Sequence, residues 1–242
     1  MMNDKVVGIV LNQVDYREND IIIKVLTQEM GIVSFVVRGA KKAKSKNNSG
    51  CLQFSKSEFL FNYVESKSMF NLKTATLIKS YLKDDLINIS LQSIFTEIID
   101  KSYDLDNYKD YYELLDFTLE HLNENKYLIS SLYIANILYL QGINPFVDGC
   151  TNCGNTCVVN LSFSMGGFLC EKCNDSNQKL EIEILKKFRL INKAKITNYD
   201  QIKDIKFNSN DFKLIMEFYI FQSNIKVNAY NLVSDIMWLK ID

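Results

Sequence analysis

The 242-residue sequence is 47% apolar and 24% charged, which permits a packed core and excludes global disorder. Its formal net charge is only −1, but residues 1–80 hold 12 Lys/Arg against 7 Asp/Glu and residues 81–242 hold 16 against 22, so a bound polyanion is expected on the basic front. No apolar run approaches the roughly 18 residues of a membrane span, and Met1–Val7 lacks the apolar stretch of a secretory leader, so a cytoplasmic chain with reduced thiols and no membrane partner is expected.

The first 80 residues read as strands. Lys5–Val14, Asp20–Thr27 and Gly31–Val37 are β-branched runs; Leu52–Val64 partly alternates through Phe54, Phe59, Phe61 and Tyr63; Met69–Ile78 closes the set. Five short strands in this length fit an OB-type barrel, a fold often used for single-stranded nucleic acid. From about Asp84 the apolar period becomes helical, through Leu86–Ile99, Leu114–Leu122 and Leu128–Leu140, until Asn144-Pro145 stops it. Further helical stretches follow at Glu181–Asn192, Asp211–Ser223 and Val227–Leu239. The expected fold is α+β and multidomain: residues 1–80 form a five-stranded OB-fold barrel and residues 81–242 a helical domain with a zinc ribbon inserted at 148–175.

The ribbon rests on two CxxC pairs, Cys150/Cys153 and Cys170/Cys173, at the spacing of a Cys₄ zinc site. Two residues between cysteines let both thiolates of a tight turn face one ion, and Gly154 supplies the positive φ such a turn favours. Between the pairs, Val158–Ser164, Gly166-Gly167 and Phe168-Leu169 read as a hairpin. A complete Cys₄ set leaves no position for water, so one structural Zn²⁺ is expected rather than a catalytic one. Cys157 lies close by and could replace a ligand or be spare, with the CxxC geometry favouring spare; Cys51 is an isolated core or loop residue.

Between the third and fourth strands, Arg38, Lys41, Lys42, Lys44 and Lys46 fall within nine residues that contain no acid. Such a loop suits a phosphate backbone, bound in a salt-dependent and sequence-independent way. Lys44-Ser45 imitates the end of a phosphate-binding P-loop, but Arg38 and Ala43 stand where that motif needs glycine. His121, the sole histidine, sits at a helix end. With no nucleotide motif, no open metal position and no triad, a non-enzymatic protein is expected.

Together these parts resemble the bacterial RecO family of recombination mediators. The likeness runs through Arg17-Glu18-Asn19-Asp20, Val25-Leu26-Thr27, Gly31, Val37–Lys42, Ser45-Lys46, Leu52-Gln53 and Leu72–Ala75, and through the paired CxxC motifs with Gly166-Gly167 before the second. The resemblance implies binding of single- and double-stranded DNA and ATP-independent annealing. It also implies work with RecR and with the single-stranded DNA-binding protein SSB in placing RecA, and association with the nucleoid. Lys186, Lys187 and Arg189 are rim candidates for the acidic SSB tail, and Tyr16 and Tyr63 are candidates for base stacking. An RNA-binding factor with an OB barrel and a zinc ribbon, or an interaction scaffold, are the alternative readings.

Overall fold

The computed structural model describes residues 3–42, 44–65, 67–82, 85–102, 105–176 and 178–231. Most of the expected helix at 227–239 lies outside them. The chain divides into two compact units: residues 1–120 with a C-terminal portion beginning at Asn228, and residues 121–227.

In the first unit, strands β1 (Asn3–Tyr16), β2 (Asp20–Thr27), β3 (Gly31–Val37), β4 (Ser55–Asn62) and β5 (Met69–Ser80) close a barrel in the order β1-β2-β3-β5-β4. All neighbours are antiparallel except β3 and β5, which run parallel where Ser34–Val36 meet Met69–Asn71. This is the five-stranded OB arrangement. Period-2 alternation drives it: in β3 every second residue is buried, and Val33, Phe35 and Val37 join Ile23, Val25, Phe59, Phe61 and Phe70 inside. Phe35 lies at the centre of this core, with ring centroids 5.5 Å from Phe59 and 5.0 Å from Phe61. The fourth strand begins at Ser55, later than the pattern suggests, because Ser49–Cys51 form a 3₁₀ turn and Phe54 takes a left-handed φ of 64°. Cys51 is buried in the barrel core, and burial pushes its thiol up to about 12.

Helices α1 (Leu86–Ser102) and α2 (Tyr108–His121) belong to the same unit. Leu91, Ile94, Phe95, Ile98 and Ile99 are fully buried along one stripe of α1, whereas Leu86 is 58% exposed at its start. Ion pairs tie both helices to the barrel. Lys24 of β2 meets Asp100, Lys56 of β4 meets Asp116 at 2.6 Å, and Lys79 of β5 meets Glu120. Lys56 and Lys79 stand directly opposite each other across β4 and β5. Such a like-charge pair is unfavourable by itself. Asp116 and Glu120, one turn apart on α2, neutralise both; the Tyr81 hydroxyl also donates to Asp116 at 2.7 Å. Glu97 of α1 accepts the backbone N–H groups of Asn228 and Ala229 at 2.8 and 2.7 Å, at the start of a helical segment over residues 228–231.

In the second unit, α3 (Lys126–Leu140), α4 (Ile182–Lys193) and α5 (Ser209–Ser223) surround an apolar core, and the hairpin of β6 (Val158–Ser162) and β7 (Gly167–Cys170) sits between α3 and α4 in sequence. α3 is buried on nearly every side, from Leu128 to Leu138, so it forms the unit's centre. Asn125 caps its N-terminus through the Leu128 N–H, and Asn208 caps α5 in a reciprocal box with Asp211. A six-residue 3₁₀ stretch, Ile196–Gln201, joins the helical set. Among the described residues, no helix is long and apolar enough to cross a membrane.

Candidate metal centre and basic loop

The ribbon forms because its backbone folds back on itself at two knuckles. The Cys150 N–H donates to the Asn155 carbonyl at 2.9 Å, and Gly154, at φ 75°, returns its N–H to the Cys150 carbonyl at 2.9 Å. At the second knuckle the Cys173 N–H donates to the Cys170 carbonyl at 3.1 Å. The hairpin is pinned to the preceding chain at Gly167, which pairs with Phe146 as an isolated parallel bridge. A Cβ at Gly167 would lie 2.3 Å from the Phe146 carbonyl oxygen, a backbone atom that cannot move aside. No other residue type fits this approach.

These contacts bring all four expected cysteines together. The sulfurs of Cys150, Cys153, Cys170 and Cys173 lie within 4.8 Å of one another, and Cys153 Sγ is 3.5 Å from Cys170 Sγ. A tetrahedron with metal–sulfur bonds of about 2.3 Å has edges of about 3.8 Å. The spacing therefore fits one metal ion. Cys150 and Cys170 are each 1% exposed, Cys153 is exposed and Cys173 half-buried. Burial opposes ionisation of Cys150, yet backbone groups of Cys170, Cys153 and Asn152 outweigh it and lower its thiol; Cys153 and Cys173 move upward. One thiolate is easily accommodated and further ones are resisted, which is the arrangement a cation relieves. The Asn152 amide adds a hydrogen bond to Cys173 Sγ at 3.4 Å. That contact is not visible from spacing, although Asn152 lies inside the first CxxC. Cys157 is exposed and stands outside the cluster.

The basic loop leaves the barrel at the end of β3. The Gly39 N–H donates to the Asp20 carboxylate at 2.8 Å and the Lys41 N–H to the Asn19 carbonyl at 3.1 Å. Its far end is fixed by Asn47, whose side chain accepts from the Ala75 N–H and donates to the Lys73 carbonyl. Both ends are thus anchored, and Arg38, Lys41, Lys42, Lys44 and Lys46 project as exposed residues between them. They are not equivalent. Lys41 is held by Asp15 of β1 at 2.8 Å, an acid remote in sequence that inspection of the loop alone misses. Lys5, Lys24, Lys56 and Lys79 of the barrel are likewise neutralised, by Glu58, Asp100, Asp116 and Glu120. Among the described residues, no carboxylate lies within ion-pair distance of Arg38, Lys42, Lys44 or Lys46. Arg17 and Lys67 of the barrel likewise have no carboxylate at ion-pair distance among the described residues, so this loop holds four neighbouring unneutralised cations and the other two lie outside it.

Tyr63 is 42% exposed with one face on Phe70, ring centroids 5.4 Å apart, while the Arg17 guanidinium lies 5.0 Å from the Tyr16 ring. Lys186, Lys187 and Arg189 do not converge on one groove. Lys187 is turned toward α5 and paired with Asp211 at 2.9 Å, whereas Lys186 and Arg189 border a groove floored by Val147, Phe168, Ile182 and Leu185. Arg189 bonds the Val147 carbonyl and Asp148, each at 3.0 Å. His121, the last residue of α2, has its ring Nδ1 2.8 Å from Glu124.

Comparison with known proteins agrees with this architecture. The family model described as Recombination protein O N terminal matches residues 1–81, and that of Recombination protein O C terminal matches residues 83–219. The DNA repair protein RecO of Halalkalibacterium halodurans is 29% identical over 198 residues, covering 78% of this chain and 77% of its own length. The DNA repair protein RecO of Bacillus pumilus is 31% identical over 172 residues, covering 69% and 66%. The two family models together span nearly the whole sequence, and the chain belongs to the recombination protein O (RecO) family.

Proposed function

We propose that this protein is a non-enzymatic mediator of recombination repair in the cytoplasm, associated with the nucleoid. It binds single- and double-stranded DNA, anneals complementary strands without ATP, and works with RecR to place RecA on SSB-coated single strands. The observation that carries the DNA-binding part is the charge map of the barrel: five lysines are neutralised within the fold, while Arg38, Lys42, Lys44 and Lys46 are left to an external anion. Annealing requires two phosphate backbones to be neutralised side by side, which needs cations and no bond chemistry. Tyr63 offers a free ring face beside the barrel for a base.

The metal is Zn²⁺, held by Cys150, Cys153, Cys170 and Cys173; four soft sulfurs at tetrahedral spacing suit it. When bound, it supplies a structural cross-link between the two knuckles. The backbone at Cys150 and Cys170 presets the ligands, and Asn152 orients Cys173. The groove bordered by Lys186 over Ile182 and Leu185, with Arg189 held by Asp148 at its rim, would receive the acidic, apolar-ended tail of SSB.

The test is annealing of complementary single strands, with and without ATP, by wild type and by a variant with Arg38, Lys42, Lys44 and Lys46 changed to Ala. Nucleotide-independent annealing by wild type and its loss in the variant are expected. Annealing that is absent, or unaffected by the four changes, refutes the reading. For the metal, one zinc per chain is expected in the wild type and none after changing Cys150 and Cys170 to Ser.

A further inference from the structure

We propose that the cysteine cluster is also a peroxide-reactive site, in which Cys153 and Cys170 join as a disulfide and the metal leaves. The inference rests on the zinc reading above and adds to it a chemistry of the ligands themselves.

Three observations carry it. The cluster is asymmetric: Cys150 and Cys170 are sealed among Leu169 and the hairpin, while Cys153 faces solvent and Cys173 is half-open. A small oxidant therefore meets one ligand first. Second, an open cavity of about 600 Å³ adjoins the site, lined by Asn152, Cys173 and Asn174 on one side and Phe163, Met165 and Phe221 on the other. It brings small molecules to Cys173 and to Asn152, the chain neighbour of Cys153, which itself faces solvent directly. Third, the exposed Cys153 and the buried Cys170 are 3.5 Å apart, sulfur to sulfur. A nucleophile generated at the surface thus has its resolving partner already in contact.

The chemistry balances with one peroxide. The Cys153 thiolate attacks one oxygen of hydrogen peroxide; the O–O bond breaks, a sulfenic acid forms and hydroxide leaves to become water. The Cys170 thiolate then attacks the Cys153 sulfur, the S–S bond forms and the S–O bond breaks, releasing a second hydroxide that is also protonated. Two sulfurs are oxidised by one electron each, the peroxide is reduced to two waters, and Zn²⁺ leaves with its charge unchanged because two of its four ligands are gone.

The consequence reaches beyond the cluster. Val147, Val158 and Phe168, which flank the knuckles, line the same groove as Ile182, Leu185 and Arg189 of α4. Losing the cross-link loosens Val158 and Phe168 on the knuckle side, while Val147 stays bonded to Arg189 and Ile182 and Leu185 stay in their helix. Oxidation thereby controls a binding surface without touching the barrel.

The experiment uses the full chain, with zinc measured before treatment. Hydrogen peroxide is added stepwise; released zinc is read with a chromogenic chelator too weak to strip the reduced protein, and disulfides are mapped by mass spectrometry. One zinc released per disulfide, a Cys153–Cys170 linkage, and recovery on adding dithiothreitol with zinc are expected. Hydrogen exchange at residues 147–158 should rise at the same time. Cys157→Ser should behave as wild type. Cys153→His keeps a fourth ligand but has no thiol to oxidise, and should release zinc about tenfold more slowly. A zinc-loaded wild type that keeps its ion while Cys157 is oxidised overturns the proposal, as does mapping of a different disulfide. A protein that is metal-free as purified refutes the zinc reading instead.

Discussion

Changing Arg38, Lys42, Lys44 and Lys46 together to alanine is expected to change how DNA affinity depends on salt, not only its size. Each cation that displaces a counterion from single-stranded DNA contributes about 0.7 to the slope of log affinity against log salt. Four cations without a carboxylate partner correspond to a slope smaller by about 2.8 in magnitude. A rise from about 50 to 200 mM salt should therefore cost the variant about 50-fold less affinity than it costs the wild type. The assay is fluorescence anisotropy of a labelled oligonucleotide at several salt concentrations. A matched variant with Lys24, Lys56 and Lys79 changed to Gln should retain the wild-type slope, because Asp100, Asp116 and Glu120 already neutralise those lysines. Equal slopes in the loop variant and wild type, or an equal loss in the matched variant, would refute the charge map as the basis of binding.

Tyr63→Ala should weaken single-strand binding by about 1–3 kcal/mol, the worth of one stacked base, and leave the salt slope unchanged; unchanged affinity would return Tyr63 to a packing role. Gly167→Ala forces a Cβ to 2.3 Å from the Phe146 carbonyl oxygen and should destabilise the ribbon-bearing unit by about 2–4 kcal/mol, read by chemical denaturation. Burial opposes ionisation of Glu97, but Lys101 and the N–H groups of Ala229 and Asn228 outweigh it, so its carboxyl is held below its usual value of 4.5. A depressed folded-state value contributes stability above the unfolded value, and the contribution is lost as pH falls through the folded one. Glu97→Gln should therefore cost about 1–2 kcal/mol at pH 7 and progressively less below about pH 4.5. A difference between the variant and wild type that stays constant down to pH 3 would contradict the assignment.

The barrel was readable because each strand buries alternate residues in one core, as Val33, Phe35 and Val37 do, and that leaves a period in the sequence. Leu52–Val64 was less so: the left-handed backbone at Phe54 cuts the alternating run, and a bulky residue in that conformation has no local sequence marker. The four cysteines were readable because two-residue spacing dictates their geometry. The inequality of the loop cations was not, because Lys41 is neutralised by Asp15 on another strand. Nor was the divergence of Lys187 from Lys186 and Arg189, since adjacent helical residues point about 100° apart and only the position of α5 decides which groove each enters.

The facing lysines of β4 and β5 bear on how the chain is made. Glu120, the acid that answers Lys79, lies forty residues beyond Ser80, the end of the last barrel strand. At ribosomal speeds those residues take roughly 2–8 s to appear. During that interval the finished barrel sequence carries two opposed cations with no counter-charge. The β4–β5 seam of the barrel thus receives its counter-charges only from α2, a helix made after all five strands.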